Sequence, residues 1–141
     1  MKIPKLTVSI IFITLISLFT HSVFAQCNTD PMIQKCSGKL GDFTFLKVYK
    51  IDKVKVGESI EYSYVFSGNT SYILSLCDDK GTDTGVEVSL FDSNRKLVST
   101  NKLNGKIYAA VTYNCKTTGI YYMTYSVADA SCGVSVLGFK K

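Results

Sequence analysis

The chain has 141 residues, 46% of them hydrophobic, with 16 basic and 11 acidic side chains and a formal net charge of +5, which is enough for one domain with its own core. The basic residues are scattered, so the sequence lacks the basic stripe with neighbouring stacking aromatics that nucleic-acid binding needs. Its single histidine is His21.

Met1 to Lys5 carries two lysines, Leu6 to Phe19 is almost wholly apolar, and Ser22-Val23-Phe24-Ala25 follows. A basic head, a short apolar middle and small residues before a cut describe a secretory signal cleaved after Ala25. The apolar run is shorter than the ~20 residues of a spanning helix, which argues against a retained anchor. Gln26 stands before Cys27 where a lipid-attachment site wants a small residue, which argues against a lipoprotein. Removing 25 residues from 141 leaves 116, and the loss of Lys2 and Lys5 leaves 14 basic against 11 acidic residues, a net charge of +3. His21 departs with the signal. The exported chain then has no Ser-His-Asp triad, no Cys-His pair and no histidine zinc site. A carboxylate enzyme would need two acids facing each other across a cleft, and a small sandwich offers little room for one. The expectation is a protein without catalytic activity.

All five cysteines, Cys27, Cys36, Cys77, Cys115 and Cys132, lie in the exported part. In an oxidising compartment this favours two disulfides and one cysteine left over. Residues 26–42 form an N-terminal segment tied by its cysteines, where Asp30-Pro31 has the turn chemistry to bring Cys27 and Cys36 together. Cys77 is then expected to pair with Cys132, with Cys77 to Cys115 as the rival.

The domain proper spans 43–141. Phe43 to Ile51 reads as a first strand, with Phe43, Phe45 and Lys47 on one side. Asp52 to Gly57 alternates charge and valine, which suits an edge strand guarded by its lysines. Three central blocks show two-residue alternation. Ile60, Tyr62, Tyr64 and Phe66 oppose Glu61 and Ser63; Tyr72, Leu74 and Leu76 oppose Ser71 and Ser75; Val86, Val88 and Leu90 oppose Glu87 and Ser89. Ser67-Gly68-Asn69 turns between the first two, and Asp78 to Gly85 makes a longer loop before the third. Lys96 to Thr100 is a short strand, and Asn104-Gly105 is a strong hairpin dipeptide. Ile107, Ala109, Val111 and Tyr113 alternate with Tyr108, Ala110 and Thr112, after which Ile120 to Val127 and Cys132 to Phe139 close the set. About eight short strands, turns between them and no convincing helical period predict an all-β fold, an antiparallel two-sheet sandwich of jelly-roll type.

The order "Asn69-Thr-Ser-Tyr-Ile-Leu-Ser-Leu", "Val86-Glu-Val-Ser-Leu-Phe-Asp-Ser-Asn-Arg-Lys-Leu-Val" and "Thr118-Gly-Ile-Tyr-Tyr-Met-Thr-Tyr" resembles the bacterial pre-peptidase C-terminal domain. That family's jelly-roll-like sandwich carries "Tyr-x-Leu-x-Leu", "Leu-Tyr-Asp-x-Asn-Gly" and "Thr-Gly-x-Tyr" blocks in the same order. The resemblance spans about Gly57 to Phe139. The chain is more similar still to small stand-alone secreted bacterial proteins with a cysteine pair near the mature N-terminus, a cysteine ending "Ser-Leu-Cys" and another in a final "Cys-Gly-Val" strand. Cys115 lies outside that pattern, so the resemblance makes it the odd cysteine. Some members of the enzyme-attached family bind calcium through acids near the "Leu-Tyr-Asp" strand. Here Thr84-Gly85 stand in that place, and Arg95-Lys96 stand where the family favours glycine.

Two groups of residues are candidates for a site. Asp78, Asp79 and Asp83, with Glu87 and Asp92 beyond them, bracket a glycine-containing loop and supply oxygen ligands of the kind calcium takes. Aspartate also populates turns for its own backbone bonds, and no spacing here matches a calcium-loop motif; no other cofactor is expected. Tyrosines supply the second group. Tyr121 and Tyr122 cannot both point inward in one strand, and an exposed row made of Tyr108, Tyr121 and Tyr125 would give a platform for carbohydrate or protein. The competing reading is ordinary strand composition. Asn69-Thr70-Ser71 also fits a glycosylation acceptor. Together these point to a secreted protein, extracellular or periplasmic, that binds carbohydrate or protein. The alternatives are a structural envelope protein and a calcium-stabilised accessory domain.

Overall fold

The computed structural model describes residues 27–128, 130 and 132–141; the signal expected over 1–25 and its His21 lie outside the described residues. Among the described residues ten antiparallel strands follow one helix, α1 (Thr29–Gly38). They are β1 (Thr44–Ile51), β2 (Ser59–Phe66), β3 (Thr70–Asp78), β4 (Val86–Phe91), β5 (Leu97–Thr100), β6 (Lys102–Leu103), β7 (Lys106–Ile107), β8 (Ala110–Cys115), β9 (Gly119–Val127) and β10 (Gly133–Lys140). Sheet 1 has the order β1-β10-β3-β8 and sheet 2 the order β2-β9-β4-β5, while β6 and β7 form a separate hairpin. This is the expected all-β sandwich. The three central blocks become β2, β3 and β4. Asn104 and Gly105 carry φ angles of 51° and 77° at the hairpin tip, the left-handed pair that a tight two-residue turn demands.

The space between the sheets is filled by the inward residues of both. Phe66 is fully buried and lies stacked between Tyr72, 3.9 Å away between ring centres, and Tyr121, 4.9 Å away. Val86, Val88 and Leu90 of β4 and Met123 and Tyr125 of β9 continue the same core. Gly133, where β10 begins, is a place of close approach: a side chain there would meet Val86 Cγ2 at 2.5 Å and the Cys77 carbonyl at 2.8 Å.

The N-terminal segment differs from expectation. Residues read as a turn form α1, whose first turn holds Asp30 and whose last turn holds Lys35, each complementing the partial charge of its helix end. Pro31 is tolerated because the first turn needs no backbone donor. Met32, Cys36 and Leu40 make a stripe at four-residue spacing that packs on Ile73, Val134 and Val136 of the outer face of sheet 1. A second, smaller core results.

The helix also corrects the disulfides. Cys27 precedes α1, and seven residues of helical rise from Thr29 place Cys36 roughly 10 Å further along the axis, so the two cysteines sit toward opposite ends of the helix and do not bond to each other. Each end of α1 is stapled to the sheet instead: Cys27 to Cys132 with Cα atoms 6.2 Å apart, and Cys36 to Cys77 with Cα atoms 5.9 Å apart. Cys115 is a buried free thiol.

Two strand expectations are also corrected. Asp52 to Gly57 is not an edge strand; it carries the chain from sheet 1 to sheet 2, turning where the Glu58 N–H donates to the Lys55 carbonyl at 2.9 Å, with Gly57 at φ 89°. In β1 a bulge between Phe45 and Lys47 shifts the register, so the exposed Phe45 is out of phase with Tyr49 and Ile51, which point into the core, while Lys47 stays exposed with its ammonium 5.4 Å from the Tyr49 ring centre.

Candidate functional site

The three aspartates expected to hold calcium have separate structural duties. Asp78 accepts from the Thr82 N–H at 3.2 Å, the Thr82 hydroxyl at 2.9 Å and the Gly85 N–H at 2.8 Å. Burial pushes its carboxyl up, but these hydrogen bonds outweigh that and hold it below the ordinary carboxylate value. Asp79 accepts from the Cys132 N–H at 3.3 Å and so helps position the entry to β10. Asp83 receives the ammonium groups of Lys35, at 2.8 Å, and Lys39. Burial raises its carboxyl, and the two lysines more than reverse the effect. This loop therefore hooks α1 from the side. Glu87 pairs with Lys102, and Asp92 accepts from the N–H groups of Asn94 and Lys96 within its own turn. Among the described residues no three His, Cys, Asp or Glu side chains are grouped as a metal site.

The tyrosine platform is corrected as well. Tyr121 and Tyr125 are buried, because odd-numbered residues of β9 face the other sheet. The Tyr121 hydroxyl donates to the Thr117 carbonyl at 2.9 Å, and the Tyr125 hydroxyl donates to Ser135 Oγ at 2.9 Å. Burial pushes both phenols far above their ordinary value. The outward neighbour is Tyr122, whose ring lies 3.6 Å from the guanidinium carbon of Arg95. Tyr108 alone of the three is exposed, with the Lys106 ammonium 5.0 Å from its ring centre.

Tyr108 stands in an open groove of about 620 Å³ that sequence reasoning missed. The groove runs along one side of the sandwich, where β5 ends sheet 2 and β8 ends sheet 1. Its walls include Leu97, Val98, Leu103 and Val111, and Leu97 and Leu103 are 49% and 56% exposed. Large aliphatic side chains left this open on a small domain mark a surface for something else to cover. Leu103 could have been noticed as an apolar residue placed directly before a hairpin turn.

The groove is held open by Asn101, which is buried at its end. The Asn101 amide oxygen accepts from the Val88 N–H at 2.7 Å, and its nitrogen donates to the carbonyls of Val86 and Tyr108, each at 2.9 Å. One side chain thus satisfies the edge of β4 and fixes the hairpin that carries Leu103 and Tyr108. Asparagine between short strands has no period to give it away in the sequence. Across the groove the Ser99 hydroxyl donates to the Thr112 carbonyl at 3.3 Å, tying β5 to β8.

No Asp, Glu, His, Lys or Arg side chain lines this groove. The carboxyls held at a shifted value, Asp42, Asp78 and Asp83, all lie below their ordinary value, the opposite of what a general acid requires. Among the described residues no helix is long and apolar enough to cross a membrane.

No protein-family model matches the chain, and no curated protein matches its sequence. Among solved structures it is similar to the pre-peptidase C-terminal domain of collagenase from Bacillus anthracis, with a TM-score of 0.49 and 17% sequence identity over 69% of this chain and 90% of that one. It is also similar to Aeromonas hydrophila PliG, a periplasmic lysozyme inhibitor of g-type lysozyme, with a TM-score of 0.49 and 7% identity over 71% of this chain and 90% of that one.

Proposed function

We propose that the chain is an exported, non-catalytic module that binds another protein through the groove between β5 and β8. The observation that carries this reading is the pair of half-exposed leucines, Leu97 and Leu103, beside Tyr108 at the rim of an uncharged groove. Sugar sites rely on aromatic faces, and two of the three rings proposed for such a platform are buried. Aliphatic walls fit the side chains of a protein partner better. Export is supported by the leader-like first 25 residues and by two disulfides, which persist in oxidising compartments.

The test compares the immobilised chain with its Leu103→Asp variant against the medium and envelope extract of the producing cells. Leu103 is exposed, so the variant should keep the wild-type melting temperature. A protein retained by the wild type and lost from the variant supports the reading. Equal retention by both, or release of the retained protein by simple glycans, overturns it.

A further inference from the structure

The edge of β8 that faces the groove carries backbone groups with a definite direction. The Ala109 carbonyl accepts from the Leu76 N–H and the Cys115 carbonyl from the Asn69 N–H, both at 2.8 Å, so the odd-numbered residues of β8 are the ones bonded to β3. In an antiparallel ladder successive residues alternate between the two sides. The backbone groups of Ala110, Thr112 and Asn114 therefore point away from β3, towards the groove. The bond from the Ser99 hydroxyl to the Thr112 carbonyl confirms that direction and takes up one of these acceptors. A row of outward N–H groups beside aliphatic walls is the arrangement that accepts an added strand.

The charge around the groove selects the occupant. From Ser93 to Ala128 the chain has no aspartate or glutamate and carries Arg95, Lys96, Lys102, Lys106 and Lys116. These residues bracket both edges: Lys96 and Lys102 flank β5, and Lys106 and Lys116 flank β8. Arg95 is paired with Glu61 and Lys102 with Glu87, while Lys96, Lys106 and Lys116 make no ion pair among the described residues. All 11 acids of the chain lie outside this stretch, and in the one acidic edge strand a second copy would offer, β2, Glu61 is already paired with Arg95 of its own chain.

Resting on the reading above, we propose that the groove takes an extended, acidic segment of the partner protein as an additional strand on β8. Its backbone bonds the N–H groups of Ala110 and Thr112, alternate apolar side chains cover Val98 and Val111, and its carboxylates meet the basic rim.

The probe is a synthetic peptide of alternating valine and threonine opened by two glutamates, titrated onto the purified exported chain. Three comparisons are made: the same peptide opened by two lysines, the same peptide N-methylated on the alternate amides that would face β8, and the Thr112→Pro variant. Proline at this position removes only an outward N–H and spares the ladder to β3. Binding of the glutamate peptide that falls at least about tenfold in each comparison supports the proposal. N-methylation leaves the protein untouched, so it decides the matter even if Thr112→Pro fails to fold. Equal affinity for both charge forms, or for the methylated peptide, overturns it, as does a concentration-dependent dimer on sedimentation that Leu103→Asp abolishes. No peptide binding, with partner capture still sensitive to Leu103→Asp, overturns strand addition and leaves the protein-binding reading intact. Capture insensitive to Leu103→Asp removes that reading itself.

Discussion

The two outer faces of the sandwich are built from opposite solutions. On sheet 1 the outer face is apolar, and α1 with the turn after it covers that face with Met32, Cys36 and Leu40, fastened by a disulfide just before the helix and another near its end. On sheet 2 no described segment covers the outer face: Val65 and Ile120, paired across β2 and β9, are 58% and 47% exposed. On the same sheet Arg95 lies over Tyr122 and pairs with Glu61. The comparison teaches that the helix is present to cover a face, and that covalent bonds hold it there. With only ten residues and no side-chain bond at its N-terminus, α1 is too short to persist alone in water.

The strongest way to break the comparison is to remove the staples. Replacing Cys36 and Cys77 by serine opens a bridge spanning 41 residues and should cost about 4 kcal/mol on the chain-entropy estimate, read as a lower guanidinium midpoint. Reducing both bridges should lower it further and expose the apolar face of sheet 1 to a hydrophobic dye. If the midpoint is indifferent to reductant, α1 is no structural cover. Next comes the face itself. Ile73, buried under α1, should cost about 3 kcal/mol when changed to alanine.

A smaller effect tests the lateral hook. Asp83→Asn severs the pairs with Lys35 and Lys39, and because both ammonium groups are partly solvated the loss should be about 1 kcal/mol. Its pH dependence has a definite sign. The folded carboxyl titrates below the ordinary value of 3.8, so its contribution is complete above that value and is lost as pH falls through the folded pKa. The difference in melting temperature between the wild type and Asp83→Asn should be full at neutral pH and close below about pH 4. The smallest effect belongs to the outer face of sheet 2: Val65→Ala should change stability by less than about 0.5 kcal/mol. A loss as large as that of Ile73→Ala would mean that this face, too, is covered in solution.

The same contrast explains what could be read from the letters. In β2 and β4 one side chain in two meets water, so Ile60, Tyr62, Tyr64 and Phe66 stand out against Glu61 and Ser63, and the strands are found within a residue. β3 and β10 are buried on both faces. Their second set, Ile73, Val134 and Val136, signals that something lies outside sheet 1, but not that it is a helix. The helix was missed because Asp30-Pro31 opens a turn and a helix equally well. The acidic loop was legible as a cluster, although each carboxylate is used by a different neighbour. Tyr121 and Tyr125 were placed outward because composition names aromatic residues without saying which parity of β9 faces the core. The groove left almost no trace, since Leu97, Leu103 and Asn101 belong to strands too short to show a period.

By itself the sequence determined the two-sheet sandwich, most of its strands and the absence of histidine after His21. Only the tertiary structure decided which cysteines meet, which acids find partners and where a groove stays open. Alternation is a property of neighbouring residues and survives in the letters, whereas pairing and exposure are set by distances between residues far apart in the chain.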